Sequence, residues 1–156
     1  MITYRLAVPE DIPDLIRLRK TQLSDEGQDI HSMDIDHEMD RYFRDQFATG
    51  NFFELLGCDG EDIIATGAVI FFDFPPSYTN AHGRRAYIAN MYTARPYRGK
   101  GIATEILTRL HDMGLARGID KFFLIASPYG KPIYQRFGFA EDPTWLTMSG
   151  EHTAGR

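Results

Sequence analysis

Between residues 86 and 126 the pattern of the sequence changes from strand to loop to helix and back to strand. Ala86–Thr93 reads as a strand and Lys121–Ala126 as a buried one. Ile102–Ala116 has apolar residues at helical spacing on one side and polar residues mostly on the other. The short loop at residues 98–103 joins the first strand directly to this helix. The chain must therefore contain a βαβ unit in which a strand delivers a loop to the start of a helix.

That loop is basic and rich in glycine. It contains Arg98, Gly99, Lys100 and Gly101, and no acidic residue occurs between positions 87 and 105. A helix begins with free main-chain N–H groups and the positive end of its dipole, and glycines allow a phosphate to approach that backbone. The segment predicts an anion site that suits a pyrophosphate. A tight strand-to-helix turn with solvated charges is the alternative that the pattern leaves open.

Two other nucleotide-binding patterns fit this segment poorly. A Walker A loop needs four residues between its first glycine and a Gly-Lys-Ser/Thr sequence, and that pattern is absent from the sequence. The dinucleotide fingerprint needs a third glycine where Thr104 stands. It also needs an acidic residue at the far end of the next strand, whereas Asp120 precedes that strand. A dinucleotide-dependent oxidoreductase is therefore disfavoured.

The remaining segments predict one mixed α/β domain at residues 1–150 and a short tail at 151–156. The expected order is β-α-α-β-β-β-α-β-α-β, a mixed sheet with helices on its faces. The other expected strands are Ile2–Leu6, Phe52–Cys58, Ile63–Phe72 and Trp145–Met148, and the other helices are Asp11–Leu23, Met33–Phe47 and Lys131–Phe137.

Composition excludes several classes. The net charge of −5 argues against a general nucleic-acid binder, which usually carries a basic excess. Cys58 is the only cysteine, so the chain has no internal disulfide and no cysteine-based metal site. The N-terminus has no pattern of a signal peptide, and no apolar run approaches the roughly 18 residues of a membrane span. We expect a cytoplasmic protein without nucleic-acid or membrane partners.

Two motifs carry a resemblance to a known family. Arg98–Ala103 resembles the Gln/Arg-x-x-Gly-x-Gly/Ala motif of the GNAT superfamily of N-acetyltransferases. Gly130–Phe139 resembles that family's Leu-Tyr-x-x-x-Gly-Phe signature, and one helix and one strand separate the motifs, as in the family. The resemblance covers residues 51–140. It implies an α/β (α+β) fold with a mixed, mostly antiparallel sheet, helices on both faces and a splayed strand pair that binds CoA.

The resemblance implies acetyl-CoA as cosubstrate and no metal. The loop amides would bind the coenzyme's diphosphate, and the backbone of the fourth strand would pair with the pantetheine arm. A main-chain N–H near Met91 or Tyr92 would face the thioester carbonyl. Ser127 stands where many members have an asparagine that touches the arm. The positions implied are Asn90, Met91, Tyr92, Thr93, Arg98, Gly99, Lys100, Gly101, Ile102, Ala103, Thr104 and Ser127.

The resemblance also implies a general acid. Tyr134 matches the family tyrosine that protonates the departing thiolate, and a packing tyrosine is the alternative. The general base is open, because the fourth strand has no carboxylate where many relatives have one. Glu54 is one candidate, Asp73 and His82 are others, and a water chain is equally consistent with the sequence.

The acceptor side is less defined. His31 and His37 have acidic neighbours, but no recognised metal-ligand spacing is present, and a solvated helix entry is favoured over a metal site. In relatives this region lines the acceptor pocket, so its acidity suggests a positively charged acceptor. The expected partner is a small-molecule or peptide amine, and a homodimer is implied by the family alone.

The function implied is transfer of acetyl from acetyl-CoA to a primary amine by direct attack in a ternary complex. A non-catalytic acyl-CoA sensor is the alternative from another class. The two differ in whether CoA is released when an amine is added.

Overall fold

A computed structural model describes residues 1–150, and the tail expected at 151–156 lies outside the described residues. The strands and helices, numbered along the chain, are β1 Ile2–Leu6, α1 Ile12–Asp25, α2 Asp36–Thr49, β2 Phe52–Asp59, β3 Asp62–Asp73, β4 Arg84–Thr93, α3 Ile102–Ala116, β5 Phe122–Leu124 and α4 Lys131–Phe137. Short 3₁₀ turns at Pro9–Asp11 and Arg95–Tyr97 precede α1 and the glycine-rich loop.

The strands form one sheet in the order β1-β2-β3-β4-β5. Neighbours from β1 to β4 are antiparallel, and β5 is parallel to β4. The parallel pair follows from the α3 crossover, because only a connection of this length returns the chain to the same end of the sheet. The expected class, a mixed and mostly antiparallel sheet with covering helices, is confirmed.

Alternation along the strands builds a core on each face of the sheet. Ile106 and Leu110 of α3 pack with Leu55, Val69 and Ile88 on one face. On the other, α1 and α2 contribute Ile12, Leu15 and Phe43, which pack with Phe52, Leu56 and Ile70. Each fully buried side chain of this size stabilises the fold by roughly 1.5–3 kcal/mol. Because both faces are covered, polar side chains on the central strands are shielded from water.

The expected strand at Trp145–Met148 is wrong, because that segment has no regular structure. The indole of Trp145 instead stacks on Phe123, with ring centroids 5.4 Å apart and an interplanar angle of 17°. Leu146 and Met148 are 90% and 77% exposed. The apolar alternation of this segment therefore reflects one aromatic contact with β5 and not a sixth strand.

Helix α2 begins later than its apolar pattern suggests, at Asp36 and not at Met33. The carboxylate of Asp34 accepts a hydrogen bond of 2.9 Å from the main-chain N–H of Asp36, a local turn that competes with helix.

Among the helices of residues 1–150, none combines the length and the hydropathy that crossing a membrane would require.

Helix α3 approaches the sheet closely at Gly67 of β3. A Cβ atom there would lie 2.4 Å from Sδ of Met91 and 2.6 Å from Cγ2 of Ile106. Gly67→Ala should therefore lower the free energy of unfolding by about 1–3 kcal/mol, measured by denaturant titration. At Gly57 the nearest contact of an added Cβ would be 3.2 Å, so Gly57→Ala should cost less. Equal losses at both positions would contradict this account.

Candidate functional site

The sheet opens between β4 and β5. Their parallel pairing runs from Ala86↔Phe122 to Ile88↔Leu124 and stops there, while β4 continues to Thr93. Within residues 1–150, the β5-side edge of residues 90–93 is therefore unpaired by any strand. An exposed strand edge can pair with an extended ligand by main-chain hydrogen bonds. The splayed pair that the sequence implies is present at this point.

A β-bulge lies at the start of this open edge. In the β3–β4 ladder Ala68 is opposite Ala89 and Thr66 is opposite Tyr92, so β4 has one extra residue in this interval. Asn90 has a φ of 56°, and it is the only residue with a side chain in the left-handed region among residues 1–150. Such a conformation is costly for a non-glycine residue and marks a backbone held in place by its surroundings.

The glycine-rich loop follows at the end of β4. Gly99 and Gly101 have φ angles of 73° and 79°, which glycine adopts without strain. A Cβ at either position would meet no atom within 4 Å, so conformation and not crowding requires glycine there. Within residues 1–150, the main-chain N–H groups of residues 99–104 donate no hydrogen bond. They form a concentrated set of donors at the positive end of α3.

The side chain of Arg98 joins three parts of the molecule. Its Nε donates to the main-chain oxygen of Thr93 at 2.8 Å, and its Nη2 donates to Oδ2 of Asp25, at the end of α1, at 2.8 Å. Its guanidinium lies 5.8 Å from the ring centroid of Tyr92 and 5.3 Å from that of Tyr129. Arg98 therefore fixes the loop to α1, whereas the sequence suggested only that its charge attracts a phosphate.

Tyr134 lies on α4, where it is partly buried and packs against the core on the α3 side of the sheet. A Cβ on Gly130 would lie 2.9 Å from Cε2 of Tyr134, so only glycine leaves room for the ring in this position. Burial, then the negative charge of Glu26, then Tyr87 raise the pKa of Tyr134 to about 12. The phenol is therefore protonated throughout the neutral range and can act as a proton donor.

Ser127 begins the turn that leads into α4. Its Oγ accepts a hydrogen bond of 3.1 Å from the N–H of Gly130, and its main-chain oxygen accepts one of 3.0 Å from the N–H of Lys131. The serine side chain thus orders the start of α4. Its hydroxyl proton remains available to a further acceptor.

Glu54 of β2 is buried on the face of the sheet that α1 and α2 cover. Its side chain is opposite Ala68 and only 2% of the residue is exposed. The Thr66 hydroxyl donates to Oε1 at 2.7 Å, and Nδ2 of Asn90 donates to Oε2 at 3.4 Å. Burial raises the pKa of Glu54 to about 7, although both hydrogen bonds and the charge of Arg19 favour the carboxylate. A carboxyl that titrates near neutral pH is suited to proton transfer.

The other two candidates for a base have different surroundings. Asp73 is 88% exposed at its side chain and lies 3.6 Å from the guanidinium of Arg84. Nδ1 of His82 accepts from the main-chain N–H of Arg84 at 2.9 Å. This leaves Nε2–H of His82 to donate to the oxygen of Gly118, 2.9 Å away. His82 therefore ties a loop to the end of α3, and in the described residues neither side chain makes a hydrogen bond to Glu54 or Tyr134.

The acidic segment before α2 is used in turns and an ion pair. Asp29 accepts a hydrogen bond of 3.0 Å from the N–H of His31, and Asp36 pairs with Lys20 of α1. In the part of the chain that the structure describes, no group of histidine, cysteine and acidic side chains is arranged to hold a metal ion.

A row of polar side chains on α1 was not identified from the sequence. Arg19 donates from Nη1 to Oε1 of Gln22 at 3.1 Å, and Nε2 of Gln22 donates to Oε1 of Glu26 at 3.1 Å. Gln22 is only 8% exposed, which places this row on the inner face of the helix. The i, i+3, i+7 spacing of residues 19, 22 and 26 was the signal in the sequence.

The comparisons with known proteins assign the family. A family model described as the acetyltransferase (GNAT) family matches residues 16–139. The chain belongs to the GNAT family of acetyltransferases.

Two relatives resemble this GNAT protein over nearly its whole length. Thialysine N-epsilon-acetyltransferase of Mus musculus is 27% identical over 167 residues, which cover 97% of this chain and 94% of the mouse protein. A protein of Clostridium acetobutylicum, described as a predicted acetyltransferase, has been crystallised with acetyl-CoA. It is 44% identical, with a TM-score of 0.92 over 96% of both chains.

A GCN5-related N-acetyltransferase from Ralstonia eutropha JMP134 shares the fold. It is 23% identical, with a TM-score of 0.83 over 97% of this chain and 100% of the other. A likeness at this level of identity shows the fold alone.

Proposed function

We propose that this GNAT protein transfers the acetyl group of acetyl-CoA to a primary amine by direct attack in a ternary complex. The observation that carries the proposal is the buried carboxyl of Glu54 at the bulge of β4, where the open strand edge begins. A thioester bound along that edge and an amine beside Glu54 would meet at the bulge. The acetyl-CoA bound to the similar Clostridium protein supports the choice of donor.

The coenzyme is held mainly by main-chain groups. The N–H groups of residues 99–104 bind the diphosphate, because they are free donors at a helix N-terminus. The backbone of residues 90–93 pairs with the pantetheine arm, and the hydroxyl of Ser127 donates a hydrogen bond to the arm. Arg98 positions the loop through Asp25 and Thr93.

Each side chain has one part in the reaction. The carboxylate of Glu54 takes a proton from the acceptor ammonium, directly or through water. The neutral nitrogen attacks the thioester carbon, and the N–H of Met91 or Tyr92 stabilises the oxyanion, a contribution of about 3–4 kcal/mol in enzymes where it has been measured. The C–S bond then breaks, and the sulfur takes the proton of the Tyr134 phenol. The second proton lost by the nitrogen restores that phenol through solvent.

The acceptor is a primary amine that is positively charged before reaction. The buried Glu54 and the exposed carboxylate of Glu26 both favour a cation on this side of the sheet. The name of the mouse relative describes acetylation of the side-chain amine of thialysine, which supports an amine carried on a flexible aliphatic chain.

A thiol-release assay with acetyl-CoA and a panel of amines tests the function. We expect CoA release that requires an amine, with a matching N-acetylated product by mass spectrometry. Binding of acetyl-CoA without CoA release for any amine would instead favour the sensor. Stabilisation by NAD and not by acetyl-CoA in a thermal-shift assay would refute the assignment of donor.

Asp25→Asn should weaken acetyl-CoA binding about three- to tenfold, since it removes the charge that holds Arg98 and Arg95. Calorimetry would measure the Kd. Asp14→Asn is the matched control, because Asp14 pairs with Arg17 on the exposed side of the same helix. An unchanged Kd for Asp25→Asn would show that the ion pairs of Asp25 with Arg98 and Arg95 have no part in coenzyme binding.

A further inference from the structure

Arg19 of α1 is a partly buried cation whose charge acts on Glu54, the proposed base. It lies one turn after Leu15, which is 1% exposed, and three residues before Gln22, so it faces inward. Its charge lowers the pKa of both Glu54 and Tyr42 of α2, and α1 packs over β4 beside them. Arg19 therefore lies on the side of α1 that faces α2 and the sheet.

The guanidinium of Arg19 is poorly neutralised. Within residues 1–150 its only hydrogen bond goes to the neutral amide of Gln22, and no carboxylate lies within ion-pair distance. By contrast, Arg17 on the outer face of the same helix pairs with Asp14. A partly buried arginine with unused donors is suited to a planar anion, because its fork matches a carboxylate.

Other polar groups near Arg19 define which kind of ligand fits. Glu54 from β2, Tyr42 from α2 and Tyr87 and Asn90 from β4 face the same region, and Glu26 closes the far end of the row on α1. Among the groups named here Arg19 is the cation, and Glu54 is the buried acid that would receive the amine. An acceptor with an amine at one end and an anion at the other complements both.

We infer that the acceptor is an amino acid or a similar amine with a free carboxylate, and that Arg19 is the residue that binds the carboxylate. This inference rests on the proposed function. It narrows the substrate class from any primary amine to amines that carry a carboxylate. Because Arg19 lies beyond hydrogen-bond distance of Glu54, the carboxylate and the reacting amine are bound at separate points.

Pairs of ω-amino acids and their amides, from 3-aminopropanoate to 6-aminohexanoate, provide the test. The members of a pair differ in the carboxylate and have the same reacting amine. Assays at pH 9, above the pKa of about 7 of Glu54, limit effects that act through that residue. We expect the wild-type protein to prefer at least one acid over its amide by about ten- to a hundredfold in kcat/KM.

Arg19→Gln should reduce that preference to within about threefold, because the loss in kcat/KM is much larger for the acid than for the amide. Arg17→Gln, on the exposed side of α1, should retain the wild-type preference. Equal rates for acids and amides in the wild-type protein would overturn the inference, as would a preference that survives in Arg19→Gln. An equal loss on both members of a pair would also overturn it, because Arg19 would then act only through Glu54.

Failure of the proposed function can be distinguished from failure of the carboxylate preference alone. If no amine in any panel causes CoA release, the transferase assignment fails and this inference fails with it. If the protein acetylates other amines but neither member of any pair, only the carboxylate preference is refuted.

Discussion

Glu54→Gln is expected to lower kcat about 10²- to 10⁴-fold, with the Kd for acetyl-CoA unchanged. Glutamine has nearly the same shape, and its Oε1 can still accept the hydrogen bond of the Thr66 hydroxyl, but its amide nitrogen cannot accept from Nδ2 of Asn90 and the side chain cannot take a proton. The loss is therefore that of general-base catalysis. Steady-state kinetics together with calorimetry for the coenzyme would separate chemistry from binding. Glu61→Gln, on the exposed turn between β2 and β3, is the control.

The pH profile gives this prediction a second measurement. With a pKa of about 7, Glu54 is increasingly ionised as pH rises through neutrality, so kcat should increase with pH and level off above that value. The acceptor's own deprotonation also raises the rate, but at the higher pH of an aliphatic amine. Glu54→Gln should lose the inflection near 7 and retain the later rise. An inflection near 7 that persists in Glu54→Gln would refute the role of Glu54 as base.

The raised pKa of Glu54 also makes the stability of the fold depend on pH, and stability should fall over the pH range in which kcat rises. The pKa of Glu54 in the folded protein, about 7, lies above the ordinary value of 4.5. Between these two values the folded state binds more protons than the unfolded state, so stability falls as pH rises. Below pH 4.5 the raised pKa of Glu54 does not reduce stability, and above pH 7 the reduction has reached its full size. The Tm of Glu54→Gln minus that of the wild-type protein should therefore become more positive between pH 5 and pH 8.

Local patterns predicted the second half of the fold well. Helices α3 and α4 have the bounds that the apolar spacing indicated, Ile102–Ala116 and Lys131–Phe137. The predicted strand at Trp145–Met148 is wrong because alternation does not specify a neighbouring strand. The edge strand β5 has only three residues and so offers few main-chain groups for pairing. The sequence pattern of a strand is necessary for a sheet position, but it does not show which neighbour supplies the hydrogen bonds.

The candidate site also combines features that local sequence predicts with features that depend on residues from distant elements. The glycine-rich loop is local, since a strand, two glycines and a helix start within a few residues define its backbone, and the sequence pattern was sufficient to predict that backbone. The environment of Glu54 is non-local, because it depends on Thr66 and Asn90 from two other strands and on cover from α1 and α2. An acidic residue within an apparent strand could equally have faced water. Arg19 and Gln22 were missed for the same reason.

Tyr134→Phe is expected to reduce kcat about ten- to a thousandfold while the acetyl-CoA Kd changes less than about threefold. The effect is smaller than for Glu54 because a thiolate is a tolerable leaving group even without a proton donor. The aromatic ring remains, so its edge contact with Phe139, 6.1 Å between centroids, and the packing of α4 should be retained. Product formation measured under saturating substrates, with Tyr78→Phe as an exposed control, would quantify the loss.

The pKa of Tyr134 determines how this loss should depend on pH. Because burial and the charge of Glu26 raise it to about 12, the phenol remains a donor over the whole range in which Glu54 ionises. The ratio of wild-type to Tyr134→Phe turnover should therefore stay constant from pH 6 to pH 9, and the inflection near 7 should persist in the variant. A ratio that falls steadily toward one between pH 6 and pH 9 would mean that the phenol ionises in this range, which contradicts its raised pKa. Unchanged turnover at every pH would reduce Tyr134 to a packing residue of α4.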